Sequence, residues 1–234
     1  MPHSYQHLFF DLDHTLWDFQ TNSREALAEI YAEWNLELKL RAPFKIFLQQ
    51  YEKNNAELWD KYRSGKITKA FLRTERFRCT LAQWGNNDQQ LARTLERVYL
   101  EKAPFKKNLM IGARELLDHL AGNYQLHILT NGFQEIQHHK LRETQLNSYF
   151  DQVITSDEIQ AQKPEAKAFV EALRRAGGTR KNSLMIGDNW YADILGARGA
   201  GIDQVFYNVS RTVYPGRYQP TLEIAELLDL RKYL

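Results

Sequence analysis

Asp11-Leu12-Asp13-His14-Thr15-Leu16 follows directly on the apolar run Leu8-Phe9-Phe10. The apolar run predicts a short buried strand that ends in two carboxylates. Because side chains alternate along an extended backbone, Asp11 and Asp13 are expected to point to the same side of a sheet. Carboxylates placed in this way repel each other unless a cation lies between them or one of them keeps a proton. The stretch therefore indicates chemistry more than packing, although Asp-x-Asp alone is a common sequence.

The composition is typical of a globular protein without a strong charge. Of the 234 residues, 43% are hydrophobic and 26% are charged, and 31 Lys and Arg against 29 Asp and Glu leave a net charge of +2. This balance argues against a nucleic-acid polymer as the main partner, because such partners favour a basic surplus. No apolar run reaches the roughly 18 residues that a membrane span needs, so no membrane partner is expected. We expect a monomer or a small homo-oligomer.

The single cysteine, Cys79, rules out a disulfide framework or a cysteine-based zinc site within one chain. The first seven residues are polar and lack the apolar core of a signal peptide. Both observations favour a reducing, cytoplasmic setting.

Hydrophobic spacing divides the chain into two parts. Residues from about 21 to 103 show helical spacing, with breaks at 41–43, 64–65 and 85–87, and this pattern predicts a small four-helix module. From Pro104 onward, short apolar strands alternate with amphipathic helices, a pattern typical of parallel βαβ units. The predicted strands are 126–129, 152–154, 183–186 and 204–206, and the predicted helices are 112–121, 134–144, 165–176 and 190–199. Residues 222–224 and 225–234 are predicted to form an edge strand and a closing helix. The first strand needs this sheet, so the helical module is an insertion.

Polar residues follow three of the predicted strands. Thr130-Asn131-Gly132 and Gly187-Asp188-Asn189 come directly after theirs, with Asp193 a little further on, and Lys163-Pro164 comes several residues after the third strand. Taken singly, they are equally well explained as a helix cap with a loop glycine, an exposed lysine, and a turn before a capped helix. Because the carboxyl ends of parallel strands meet at one edge of a sheet, all of them are expected to lie near Asp11 and Asp13. Carboxylates that converge beside a lysine suit a divalent cation such as Mg²⁺ and a phosphate.

These motifs, in this order, resemble the haloacid dehalogenase (HAD) superfamily of phosphatases. The resemblance covers the four motifs Asp11-x-Asp13-x-Thr15-Leu16, Thr130-Asn131-Gly132, Lys163-Pro164 and Gly187-Asp188-x-x-x-x-Asp193. It implies an α/β fold with a Rossmann-like parallel sheet core. Residues 1–16 and 104–234 would form this catalytic core, and residues 17–103 an inserted all-helical cap domain.

The resemblance also implies roles for individual residues. Asp11 would be the nucleophile that forms an aspartyl-phosphate, and Asp13 the general acid and base. Mg²⁺ would bind the Asp11 side chain, the Asp13 backbone carbonyl and Asp188. Thr130, Lys163 and backbone groups of Asn131 would hold the phosphoryl oxygens, with Asp193 in support.

For the substrate, several segments resemble the pyrimidine 5′-nucleotidase subgroup, which implies a small phosphorylated metabolite, a nucleoside monophosphate. They are Thr130–Phe133 followed by Gln137, Leu141 and Thr144, and in the helical module Asn55, Leu58-Trp59, Tyr62 and Arg76-Phe77. The candidate substrate contacts are Trp17, Asp18, Asn55, Trp59 and Arg76, although aromatic residues at helical spacing are more often core residues.

Other interpretations stay open. The same chemistry could serve a sugar phosphate, phosphoglycolate or an acylneuraminate phosphate, or a phosphomutase reaction. A 2-haloacid dehalogenase needs no proton donor for its leaving group and typically lacks the second acid, so Asp13 argues against it. A non-catalytic binding module is expected to have lost Asp11, Asp13, Lys163 or Asp188, and all four are present.

Overall fold

Six short segments form a parallel sheet in the computed structural model, which describes residues 5–214 and 218–234. In chain order they are β1 (His7–Phe10), β2 (Gln125–Thr130), β3 (Phe150–Thr155), β4 (Ser183–Gly187), β5 (Asp203–Tyr207) and β6 (Leu222–Ile224). Their order across the sheet is β3-β2-β1-β4-β5-β6, and every neighbouring pair is parallel. The chain order therefore reverses beside β1, which is where sheets of this kind bind ligands. The predicted α/β fold class is confirmed.

Each face of the sheet is covered by helices, which explains why the strands are apolar on both sides. Leu8, Phe10 and Ile128 pack on one face against α6 (Ala113–Leu120) and α7 (Gln134–Glu143). The side chains between these, such as Phe9, point to the other face of the sheet. There they pack with three helices, α8 (Ser156–Ile159), α9 (Ala166–Ala176) and α10 (Gly196–Gly199).

Two segments that the sequence predicts as helices are not, or not entirely, α-helical. The segment 190–199 begins as a π-helix, Trp190–Leu195, and continues as α10. Asn189 starts this segment, because its Oδ1 accepts hydrogen bonds from the backbone N–H groups of Tyr191 and Ala192 at 3.1 and 2.9 Å. The predicted closing helix is a 3₁₀ helix, Leu227–Lys232. Helical spacing in a sequence does not distinguish these variants from an α-helix, because their periods are close.

Contacts divide the chain into two compact units, one made of the residues up to Phe19 with Lys107–Leu234, the other of Gln20–Lys106. The second unit is all helical. Its helices are α1 (Phe19–Glu33), α2 (Leu36–Leu40), α3 (Phe44–Arg63), α4 (Lys69–Ala82) and α5 (Gln89–Lys102). The break at Asn35, where a φ of 48° separates α1 from α2, was not predicted from the sequence. That residues 17–103 act as a cap on a core of 1–16 and 104–234 stays a prediction. Within the described ranges, no helix is both long and apolar enough to cross a bilayer.

Two buried histidines lie side by side in the sheet, at the amino end of β1 and within β2. His7 Nδ1 is 3.2 Å from His127 Nε2, and the His127 ring packs against Phe9 at 4.9 Å between centroids. Burial lowers the pKa of His127 to about 4, and the neighbouring His7 adds to this effect. The negative charge of Asp151 acts in the opposite direction but is weaker. Burial also lowers the pKa of His7. The fold therefore holds this pair neutral.

We expect this pair to make the protein less stable in mild acid. Between pH 4 and 6.5 the unfolded chain binds a proton at His127 that the folded chain rejects, so stability falls as the pH falls. The His127 contribution lost between pH 7.5 and pH 5 is about 2 kcal/mol. The measurement is the free energy of unfolding of the wild type and His127→Gln at both pH values, by denaturant titration. A gap between the two proteins that does not change with pH would contradict this explanation.

Candidate active site

A tight turn follows the two acids of the opening motif. Asp11 continues the β1–β4 pairing through a hydrogen bond from its backbone N–H to the Ile186 carbonyl at 2.9 Å. The chain then turns, with the N–H groups of Leu16 and Trp17 both donating to the Leu12 carbonyl at 3.0 and 2.9 Å. His14 sits in the left-handed region at a φ of 65°. The carboxylates of Asp11 and Asp13 have different partners.

Asp11 pairs with Lys163, as the sequence motifs predict for an anion site at this edge. The Lys163 ammonium lies 2.8 Å from Asp11 Oδ1 and 2.6 Å from Asp193 Oδ1, and it is 2% exposed. Although burial alone would lower the pKa of Lys163, the two carboxylates raise it to about 12. Burial raises the pKa of Asp11 to about 7 against the opposing charge of Lys163, and the negative charges of Asp193 and Asp13 add to this rise.

A third carboxylate, Asp188, completes a cluster with Asp11 and Asp193. One oxygen from each of the three lies within 4.8 Å of the others. Burial, followed by repulsion from Asp11 and Asp193, raises the pKa of Asp188 well above its usual range, although the Thr15 hydroxyl donates to it at 3.1 Å. One ammonium does not balance three carboxylates at this distance, so the cluster fits a divalent cation with oxygen ligands.

Asp13 pairs with a second lysine, Lys140, which was not predicted as a site residue. Lys140 Nζ lies 2.5 Å from Asp13 Oδ1, and Gln137 Nε2 lies 2.9 Å from Asp13 Oδ2. Burial alone would raise the pKa of Asp13, but the Lys140 charge and these hydrogen bonds lower it. The two acids therefore coexist because each has its own ammonium.

Thr130 and Asn131, at the end of β2, have distinct surroundings. The Thr130 hydroxyl oxygen accepts hydrogen bonds from Gly132 N–H at 3.0 Å and Gln137 Nε2 at 3.1 Å, which leaves its own proton for another acceptor. The Asn131 side chain holds the Lys163 backbone on both sides: its Nδ2 donates to the Lys163 carbonyl and its Oδ1 accepts from the Lys163 N–H, both at 2.8 Å. The side chain of Asn131 thus positions Lys163.

Gly187 allows the Asp193 carboxylate to lie against the end of β4. A Cβ atom at position 187 would be 2.2 Å from Asp193 Oδ2 and 2.5 Å from its Cγ. Asp193 is 1% exposed, and its carboxylate also accepts a hydrogen bond from the Asn189 N–H at 3.0 Å. The carboxylate therefore cannot move away from position 187 without losing this contact. The glycine of this motif is therefore a packing requirement of the site.

Gly187→Ala is expected to displace Asp193 from Lys163 and to impair the site. We expect activity to fall by about 10-fold or more, because a displacement of about 1 Å at such a site can lower the rate by two orders of magnitude. We also expect stability to fall by about 1–3 kcal/mol, the usual loss on overpacking. The measurements are kcat/KM and denaturant unfolding. Gly199→Ala is the matched control, because a Cβ there meets nothing within 4 Å. Equal behaviour of the two variants would contradict the packing argument.

Trp17 and Asp18, two of the predicted substrate contacts, belong to the same unit as the acids. Trp17 is 1% exposed, and its ring lies beneath the Lys140 ammonium at 4.2 Å from the centroid. This leaves little of the ring for a base to stack on, so the arrangement does not support the predicted contact. Asp18 is half-buried, and its backbone N–H donates to the Asn108 carbonyl at 3.1 Å. A substrate contact of Asp18 stays a prediction.

The other three predicted contacts belong to the helical unit. Trp59 is half-buried on α3 and packs edge-on against Tyr62 at 5.6 Å. Asn55, one turn earlier, has a buried Oδ1 without a hydrogen-bond partner among the described residues. Arg76 is 4% exposed and forms a buried ion pair with Glu96, which gives it a structural role inside this unit. Substrate contacts of these three residues stay predictions.

Comparisons with known proteins identify the family. Residues 5–201 match the model of the haloacid dehalogenase-like hydrolase family. The chain is 34% identical over 230 residues to the pyrimidine 5′-nucleotidase PynA of Streptococcus pneumoniae, which covers 97% of this chain and 93% of that protein. It is 30% identical over 228 residues to the pyrimidine 5′-nucleotidase YjjG of Escherichia coli, covering 97% and 96%. The structure of YfnB of Bacillus subtilis, which is bound to magnesium, superposes with a TM-score of 0.89 at 28% identity over 98% of both chains.

The chain therefore belongs to the haloacid dehalogenase-like hydrolase family, as its four ordered motifs predicted. The expectation of an enzyme, a hydrolase, is confirmed. Within the family, the chain is similar over nearly its whole length to two proteins named as pyrimidine 5′-nucleotidases.

Proposed function

We propose that this hydrolase removes the phosphate from nucleoside 5′-monophosphates, with a preference for pyrimidine nucleotides. The observation that carries the phosphatase reaction is the pairing of the two acids with different lysines, Asp11 with Lys163 and Asp13 with Lys140. This arrangement gives two carboxylates two separate tasks. The choice of a nucleotide is supported by the similarity to PynA and YjjG.

In the first step, an oxygen of the Asp11 carboxylate attacks phosphorus. A bond forms between Asp11 and phosphorus, and the bond from phosphorus to the ester oxygen breaks. Asp13 gives a proton to that leaving oxygen, so this step requires its protonated form, although Lys140 lowers the pKa of Asp13 in the free protein. The nucleoside departs as an alcohol. Asp11 then carries the phosphoryl group, and Asp13 is a carboxylate.

In the second step, Asp13 takes a proton from a water molecule whose oxygen attacks the same phosphorus. The bond between Asp11 and phosphorus breaks, which releases inorganic phosphate and restores the Asp11 carboxylate, and Asp13 regains its proton. Both steps are displacements at phosphorus, so stabilisation of the phosphoryl oxygens serves them equally.

The phosphoryl oxygens would be held by Thr130, Lys163 and the backbone of Asn131. Thr130 has a hydroxyl proton to donate, since its oxygen already accepts two hydrogen bonds. Lys163 is fixed from both sides of its backbone by the Asn131 side chain, so its ammonium needs little reorganisation. Asp193 contacts the same ammonium and would orient it.

We further propose that Mg²⁺ is the cofactor, held by the carboxylates of Asp11 and Asp188 and the backbone carbonyl of Asp13. When bound, it would balance the carboxylates and stabilise charge on the transferring phosphoryl group. The support is the cluster of Asp11, Asp188 and Asp193, whose oxygens lie within 4.8 Å of one another. The single cysteine, Cys79, supports a cytoplasmic setting for this reaction.

A substrate panel tests the proposal directly. Phosphate release is measured for about twenty phosphate esters, including pyrimidine and purine monophosphates, sugar phosphates, phosphoglycolate and an acylneuraminate phosphate, with Mg²⁺ and with chelator. We expect the highest kcat/KM with pyrimidine 5′-monophosphates and loss of activity with chelator that added Mg²⁺ restores. Equal rates on sugar phosphates and pyrimidine monophosphates would contradict the nucleotide assignment. Full activity in chelator would contradict the cofactor.

A further inference from the structure

Two buried side chains on α7 hold the carboxylate of Asp13, one at each oxygen. Gln137 and Lys140 lie one turn apart, so they share a face of the helix. Gln137 is 0% exposed and Lys140 is 4% exposed. Their distances to Asp13 Oδ2 and Oδ1 are 2.9 and 2.5 Å. A carboxylate that is held at both oxygens has lost its freedom to rotate.

Lys140 is itself confined by aromatic rings. Its ammonium lies 4.2 Å from the Trp17 ring centroid and 5.8 Å from that of Phe19. A buried ammonium over an aromatic face is stabilised by the quadrupole of the ring, whose face is electron-rich. Trp17 is in turn fixed by bridge pairings of its backbone with Asp13 and Leu109. The ring and the carboxylate thus fix the position of one ammonium.

Gln137 links Asp13 to the phosphate-binding residue Thr130. Its Nε2 lies 2.9 Å from Asp13 Oδ2 and 3.1 Å from Thr130 Oγ1. Gly132 makes room for it, since a Cβ at position 132 would be 1.6 Å from this nitrogen. Its Oε1 is buried without a hydrogen-bond partner among the described residues, which is unfavourable. A buried amide kept at this cost to stability points to a role in the site.

We propose that Lys140 and Gln137 are positioning residues, which hold the Asp13 carboxyl where it can transfer a proton to the leaving oxygen. This rests on the proposed function, in which Asp13 is the general acid. Neither residue needs to touch the substrate. Lys140 acts through Asp13, whereas Gln137 also contacts Thr130. The part of the effect that passes through Asp13 should appear only where the leaving oxygen needs a proton.

The test compares leaving groups. A nucleoside leaves as an alkoxide that needs a proton, whereas p-nitrophenolate leaves without one. For Lys140→Met we expect kcat/KM on a pyrimidine 5′-monophosphate to fall about 10- to 100-fold, and on p-nitrophenyl phosphate to change about 3-fold at most. Gln137→Met should also lose more on the nucleotide than on p-nitrophenyl phosphate, although the lost contact with Thr130 lowers both rates. Gln137→Met keeps the net charge and serves if Lys140→Met does not fold. Lys140→Arg should recover part of the loss.

Two controls separate the possible failures. Lys107→Met removes the charge of a lysine whose side chain is 67% exposed, and it should leave both substrates unaffected. Asp13→Asn should show the same dependence on the leaving group as the α7 variants, but larger. If Asp13→Asn shows it and the α7 variants lower both substrates equally or neither, the positioning role is wrong. If Asp13→Asn does not show it, the general-acid assignment itself is wrong.

Discussion

Asp11→Asn is expected to abolish turnover while the protein stays folded. The amide cannot attack phosphorus as the carboxylate does, so kcat/KM should fall by about 10⁴-fold or more, as for other nucleophile replacements. Acid quenching of the wild type in mid-reaction should trap a covalent phosphoryl group on residue 11, seen by mass spectrometry of peptides. The variant should show none. Turnover within 10-fold of the wild type would contradict Asp11 as the nucleophile.

The same substitution should leave stability in metal-free buffer unchanged or increase it. Asp11, Asp188 and Asp193 place three carboxylate oxygens within 4.8 Å of one another, and replacing one charge with a neutral amide reduces their repulsion. Unfolding by denaturant measures this. Asp151→Asn, the same change at an exposed carboxylate of β3, is the control and should affect neither activity nor stability. A large loss of stability in Asp11→Asn would show that the cluster is a structural site.

Asp13→Asn is expected to keep the fold but to lose most activity on nucleotides. Removal of the general acid and base should lower kcat/KM by about 10²- to 10⁴-fold on a pyrimidine monophosphate. Stability should fall by about 1–3 kcal/mol, because the buried Lys140 ammonium loses its counter-charge. The Asp13 side chain is 23% exposed, so the loss should be smaller than for a fully buried pair. Steady-state kinetics and denaturant unfolding are the measurements.

The control for this variant is Lys107→Met, which changes a charge in the same unit away from the acids. Near-normal activity of Asp13→Asn on nucleotides would overturn the acid and base assignment. A normal rate of phosphorylation on p-nitrophenyl phosphate with a slow release of phosphate would support it, because the second step still needs a base.

The sheet could be predicted because each strand and helix is marked by a pattern within its own few residues. Each strand is a short apolar run and each helix has its own periodicity, so residues such as Leu8 and Ile186 could be assigned without knowledge of their neighbours. The π-helix at Trp190–Leu195 and the closing 3₁₀ helix were predicted only as helices, because spacing does not resolve the hydrogen-bond pattern. The break at Asn35 was missed, because nothing in the spacing marks a left-handed residue there.

The site was predictable only in part. Lys140 looks like one more lysine in a polar helix, and solvent exposure is the usual fate of lysines. A possible signal was its place one turn after Gln137, on the same face of the helix. Gln137 belonged to the subgroup pattern but had no assigned task. Trp17 was predicted as a substrate contact, and its burial beneath the Lys140 ammonium was not foreseen.

The sequence by itself determined the fold class, the family and the edge of the sheet where the motifs meet, because parallel strands place their carboxyl ends together. The tertiary structure alone decided how Asp11 and Asp13 tolerate each other. Each has its own ammonium, from Lys163 and Lys140, which lie 152 and 127 residues away along the chain. Such pairings depend on how α7 and the Lys163 loop pack against the sheet, and packing between distant segments leaves no periodic trace in a sequence.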